Sequence, residues 1–223
     1  MKTTYKNIYQ LAAKNRGGVE HLEASLPRPK SAAQLAAQTD DRYLSMMTRC
    51  VFRAGFVWRV IDNKWPGFEE AFSNFNPLAI AHYSDEKLEE LGKDTRIVRN
   101  FTKIVSVRHN ATYVLDKQHS HGSFGKFVAE WPETDIVGLW LELKKNGSRL
   151  GGNSGPGMLR SMGKDTFLLT KDVCDALVNQ GLMKKFSPTA QRDLRLVEQV
   201  FADLRQQSGR SLCELSRILA FTV

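Results

Sequence analysis

Between Leu44 and Ile61, apolar side chains recur three and four positions apart, at Leu44, Met47, Val51, Ala54, Gly55, Trp58 and Ile61. That period places one stripe of a helix against a core. The spacing predicts a single, largely buried helix from Asp41, stopped by the WPGF sequence at 65–68. Ser84, followed by Asp85 and Glu86, marks another start: a serine side chain satisfies free N–H groups and carboxylates suit the positive end of the helix dipole. Leu88 and Leu91 face inward. Ile97, Val98, Phe101, Ile104, Val105, Arg108 and Val114 predict a longer helix that gives way to a polar loop, DKQHSHGSFG. Thr134 opens the next, with Ile136, Val137, Trp140 and Leu143 on one face and a basic last turn, Lys144 and Lys145, before Gly147.

A second helix follows a glycine-rich gap, with Pro156 in its first turn and Met158, Leu159 and Met162 as its stripe. Thr170 caps a helix carrying Val173, Ala176 and Leu177 up to Gly181, and Ser187-Pro188 opens one carrying Leu194, Val197, Phe201 and Leu204. Ser211 and Glu214 have the three-residue spacing of a capping box ahead of Leu215, Ile218 and Leu219. Strand alternation is scarce, so the fold class is all-α. Residues 1–40 are polar and read as an N-terminal arm, and 41–223 as the helical domain.

The chain has 223 residues, a formal charge of +8 and 42% hydrophobic content, enough to build one domain or two small lobes. The basic balance favours a polyanionic partner, nucleic acid before a membrane surface. Cys50, Cys174 and Cys213 are an odd, scattered set that suits a reducing cytosol. No signal peptide or 18-residue apolar run is present, so a cytoplasmic location, nucleoid-associated by function, is expected without membrane attachment.

Candidate chemistry concentrates in the gap between two helices, a hairpin spanning about 135–163. Leu150, Gly151, Gly152, Asn153, Ser154 and Gly155 form a turn whose glycines let backbone lie against a ligand, while the following helix offers N–H groups at its positive end. Phosphate is the natural ligand. A mononucleotide loop would need a Lys-Ser/Thr pair after the last glycine and a strand before the first, and a dinucleotide fingerprint would need different glycine spacing. What remains is a grip on one phosphodiester of a polymer, positioned by Lys144, Lys145, Arg149 and Arg160, or a plain connecting turn.

Helix, glycine turn and helix together resemble the helix-hairpin-helix element of DNA glycosylases. The stretch from Arg53 to Ala111 is similar to the DNA-3-methyladenine glycosylase I family in Ala54-Gly55, Trp58, Ala71-Phe72, Asn76-Pro77, Ile97, Arg99, Lys103-Ile104 and Asn110-Ala111, and the chain reads as an outlying branch. The resemblance implies a two-lobed helical DNA glycosylase fold. It implies hydrolysis of the N-glycosidic bond of an alkylated purine, everted from double-stranded DNA, by a monomer that needs no cofactor and has no lyase activity. Trp58 takes the place of an aromatic pocket wall, with Tyr43, Phe56 and Trp65 as further aromatic candidates and Cys50 or Arg49 standing where the family commonly has a glutamate.

Further departures shape the expected chemistry. The superfamily's catalytic aspartate falls at Thr170, with Asp172 two residues later as a helix-capping or water-polarising candidate. A Schiff-base lysine falls at Pro156. The cysteines have no histidine at zinc spacing, and His119 and His121 stand in the polar loop, so no metal is expected. A cationic base is a good leaving group, which makes N3- or N7-alkylated purines the expected substrates. The alternatives are a non-catalytic duplex DNA-binding or lesion-sensing protein, or a glycosylase for another base lesion.

Overall fold

Capping chemistry sets several helix starts. Ser84 accepts from the Lys87 amide, Thr170 from Val173, and Ser211 with Glu214 closes a reciprocal box, as their spacing predicts. The computed structural model describes residues 4–223. Its helices are α1 (Tyr5–Asn15), α2 (Val19–Ala24), α3 (Ala32–Ala36), α4 (Asp40–Arg53), α5 (Trp58–Asn63), α6 (Trp65–Ala71), α7 (Pro77–Ala81), α8 (Asp85–Lys93), α9 (Phe101–His121), α10 (Phe124–Glu130), α11 (Ile136–Asn146), α12 (Ser154–Met162), α13 (Lys171–Asn179), α14 (Gln191–Ser208) and α15 (Leu212–Ala220). No strand occurs among the described residues, in line with the all-α expectation.

The chain divides into two compact units, one of residues 4–30, 132–138 and 163–223, the other of 31–131 and 139–162. In the first, α15 packs on α1, α13 and α14. Phe167 and Phe201 stack at 4.2 Å in its interior, and the buried Asp165 carboxylate accepts from the Leu212 and Cys213 amides at 3.0 and 2.8 Å, a second cap on α15. Residues 4–40, expected as an arm, hold three short helices and carry core side chains: Ile8, Ala12 and Leu22 in this unit, Leu35 in the other. They are too sparse to register as a periodic stripe. Residues 1–3 lie outside the described ones.

In the second unit α4 is the central strut, packed by α9 and α12. Tyr43, Phe52, Phe68, Phe72 and Phe124 are fully buried around it.

Several boundaries differ from the periodicity. The predicted helix from Asp41 to Ile61 breaks at Ala54, which is extended, and Gly55, whose φ of +75° is left-handed. Residues 54–60 are exposed as a result. WPGF opens a helix rather than ending one, because a proline in the first turn loses no hydrogen bond. The polar stretch from 116 onward is mostly helical: α9 runs through His119 to His121 and is closed by Gly122 at φ +87°. Ser187-Pro188 also lies ahead of its helix, which starts at Gln191.

Ser73, Asn74 and Phe75 hold φ of +50°, +52° and +58° in succession, three side-chain-bearing residues in the left-handed basin. Arg42 donates to the Asn74 carbonyl at 3.0 Å, and the buried Phe75 ring stacks on Trp65 and Phe72. Packing and this bond hold a conformation that costs roughly 1–2 kcal/mol per residue.

Candidate nucleic-acid interface

The hairpin forms where the glycines fall. The Leu150 side chain is fully buried, and its carbonyl accepts from the Gly155 amide at 3.1 Å. Added β-carbons at Gly147 and Gly155 would stand 2.5 Å from Leu150 Cδ1 and from the Leu150 carbonyl oxygen. These two glycines are therefore packing requirements. Gly152 is different: its φ is +58°, nothing lies within 4 Å of a built Cβ, and it is exposed. The Gly151 and Gly152 amides donate to no group among the described residues, so they are available to an anion. Lys144, Lys145 and Arg149 are exposed on the same connection, and Arg160 is half-buried on α12.

Asn110 of α9, wholly buried, clamps the start of this turn. Its Oδ1 accepts from the Ser148 amide at 2.7 Å and its Nδ2 donates to the Ser148 carbonyl at 3.1 Å. Arg149 follows directly at φ +62°.

The second feature of the unit is the exposed turn between α4 and α5. Trp58 is 62% exposed, Val57 67%, Val60 46% and Phe56 40%. A run of large apolar side chains in solvent is a recognised mark of an interaction surface. Trp58 was expected on the buried face of a continuous helix; the break at Gly55 turns it outward. Arg53 lies over its ring at 4.9 Å and is itself held by Asp62, which also receives Arg49. Burial would raise the Asp62 carboxyl, but the two guanidinium groups hold it below the usual carboxylate range.

Lys103 braces the turn from beneath. Only 4% exposed, it donates to the Phe52 carbonyl at 3.2 Å and the Ala54 carbonyl at 2.6 Å, and its ammonium sits 4.6 Å from the Phe56 ring centre. These are carbonyls at the end of α4 that the helix leaves unmatched, and a cation there also meets the negative end of the dipole. Burial, then the charge of nearby Arg149, pushes the Lys103 ammonium down from its ordinary value.

Of the remaining candidates, Tyr43 is fully buried with its hydroxyl donating to the Leu35 carbonyl, and Trp65 stacks on Phe68 and Phe75; both are core. Cys50 is half-buried, and burial pushes its thiol up to about 11, so it stays protonated at neutral pH. Asp172 is exposed in the first turn of α13, in the other unit, where Thr170 makes the cap. His121 approaches Glu130 at 3.5 Å, and no cluster of three metal-binding side chains occurs among the described residues. No helix among them is long and apolar enough to cross a membrane.

Sequence reading missed Lys103 and Asn110 as site residues. Both sat in the matched pattern, yet a lysine and an asparagine inside a helix give no sign from spacing alone that they are buried on backbone carbonyls.

A family profile described as methyladenine glycosylase matches residues 35–146. DNA-3-methyladenine glycosylase 1 of Escherichia coli is 29% identical over 76 residues, 34% of this chain and 41% of that protein, so the match spans less than half of that relative. Among solved structures, a 3-methyladenine DNA glycosylase I superposes with a TM-score of 0.51 at 21% identity, over 62% of this chain and 83% of that one. The Staphylococcus aureus 3-methyladenine DNA glycosylase I gives 0.52 at 22%, over 56% and 77%. The 8-oxoguanine DNA glycosylase of Methanocaldococcus jannaschii gives 0.54 at 15%, over 95% and 89%. At these identities the structural likeness is one of fold.

Proposed function

The chain belongs to the methyladenine glycosylase family, and from that premise we propose that it is a monofunctional DNA glycosylase, acting on an alkylated purine of the 3-methyladenine type in duplex DNA. The observation that carries the reading is Trp58, 62% exposed on a braced turn of the unit that also holds the glycine hairpin. An indole in solvent offers a face on which an everted, electron-poor base stacks. The open amides of Gly151 and Gly152, with Lys144, Lys145 and Arg149, serve the phosphate rail.

The reaction asks little of the protein's acids. Water adds its oxygen to C1′ while the C1′–N bond breaks, and the electron pair of that bond neutralises the base's positive charge. The attacking water gives its proton to solvent. The place where a family carboxylate would hydrogen-bond the base falls to Cys50, a protonated thiol, or to Arg49, so positioning and desolvation supply the catalysis. Pro156 is buried in the first turn of α12 and offers no amine for a Schiff base, which supports hydrolysis without strand cleavage.

Release of free base from duplexes carrying N3- or N7-methylated purines tests the proposal, with intact strands after mild neutral work-up. Trp58→Ala is expected to retain duplex binding and slow release between about 5- and 150-fold, the equivalent of roughly 1–3 kcal/mol of base stacking. Release of a neutral mispaired base and no alkylated base refutes the substrate class. The protonated Cys50 also favours a second reading, a lesion-binding protein without turnover, which predicts tighter binding to alkylated duplex and no release by wild type.

A further inference from the structure

Lys103 and Asn110 lie seven residues apart on α9, two turns along one face, which separates them by about 10 Å with a rotation of only about 20°. Each ends on backbone of a different exposed connection. Lys103 holds the Phe52 and Ala54 carbonyls at the root of the Trp58 turn, and Asn110 holds both polar groups of Ser148 at the root of the hairpin. Both side chains are at least 96% buried, and the stretch between them is uninterrupted helix with Ser106 and Val107 in the core. No other contact described for either turn ties it to α9 through paired backbone groups.

We infer that α9 is a rigid spacer and that Lys103 and Asn110 are positioning residues which fix the base-receiving turn and the phosphate-gripping turn at one separation. An everted nucleotide stays covalently joined to the strand the hairpin grips, so the distance between the two turns has to match the reach of that strand. A helix of fixed rise meets this need with two buried anchors, each bonded to backbone groups of its own turn. The role in repair rests on the glycosylase reading, but the mechanical claim does not.

The test uses the full chain and reads the two turns separately. Lys103→Met removes the ammonium with little change in volume, and Asn110→Ala removes both bonds to Ser148; Lys103→Arg and Asn110→Asp keep part of each contact if the first pair folds poorly. Amide hydrogen exchange is measured on the free protein. Lys103→Met is expected to speed exchange at least tenfold at the hydrogen-bonded Ala54 and Phe56 amides and less than threefold at the Ser148 amide, and Asn110→Ala the reverse. The partial variants give intermediate rates at their own turn. Exchange that rises equally in both turns, or throughout the unit, shows general destabilisation and overturns the inference; so does no change at either turn.

Binding and turnover then connect it to function. With an alkylated duplex, Asn110→Ala is expected to weaken affinity by a larger factor than it slows release from the saturated complex, and Lys103→Met to slow release by the larger factor. Identical ratios for the two variants overturn the division of roles. If no duplex yields free base while the two exchange patterns separate as expected, the glycosylase reading fails and the spacer stands.

Discussion

Replacing Gly155 with alanine, beside Gly157 as its control, tests whether the hairpin glycines are there for packing or for flexibility. The two positions are two residues apart in the first turns of α12. A methyl at Gly155 stands 2.5 Å from the Leu150 carbonyl oxygen and 3.3 Å from Leu143 Cδ1. That oxygen has to retreat by about 1 Å to reach ordinary contact. It is also the acceptor for the Gly155 amide, so the retreat weakens a bond worth roughly 0.5–1.5 kcal/mol. Overpacking of this kind costs about 1–3 kcal/mol, and alanine's better helix propensity returns at most about 1 kcal/mol. The expected net loss is about 1–3 kcal/mol. At Gly157 nothing lies within 4 Å of the new methyl, and only the propensity gain remains, up to about 1 kcal/mol. Urea unfolding followed by circular dichroism, with duplex affinity measured at two salt concentrations, gives both readouts. Gly155→Ala is expected to be the less stable and the weaker binder, and equal stability of the two alanine variants refutes the packing account.

The other expectations follow from single side chains. Thr170→Ala is expected to cost about 1 kcal/mol as a lost cap, whereas Asp172→Asn leaves stability within about 0.5 kcal/mol; matched denaturation curves decide, and a larger loss for Asp172→Asn reverses the capping assignment. The Cys50 thiol is raised from 9.0 to about 11 by burial. The folded state therefore binds that proton more tightly than the unfolded chain, and its contribution is complete below pH 9 and is lost as pH rises toward 11. Stability measured from pH 8 to 11 is expected to fall more steeply in wild type than in Cys50→Ser, and parallel curves sink the claim. Leu150→Ala, at a site with no solvent exposure, is expected to cost about 2–5 kcal/mol, checked by the same unfolding curves; a loss under about 1 kcal/mol places Leu150 outside the hairpin's core.

Caps and stripes were legible because they are local. Ser84, Thr170 and the Ser211–Glu214 box depend on residues three apart, and the structure places each at its helix start. The glycine hairpin was legible for a similar reason. The exposure of Trp58 was not, since helical spacing runs without a break across residues 54 and 55, where the extended Ala54 and the left-handed Gly55 end α4. Tyr43 shows the opposite failure: an aromatic beside a candidate pocket looks functional until its hydroxyl is found on the Leu35 carbonyl. Lys103 and Asn110 act on groups 49 to 51 and 38 positions away in sequence, and such pairings leave no periodic trace.

The left-handed run at Ser73, Asn74 and Phe75 limits which replacements the chain accepts. Glycine at 74 relieves the handedness penalty there and keeps the carbonyl that Arg42 grips, whereas valine or isoleucine adds a branched carbon to a backbone already in the disfavoured basin. Mutational scanning should therefore find an inverted preference at this one corner, with the smallest residue favoured and the usual aliphatic substitutes excluded.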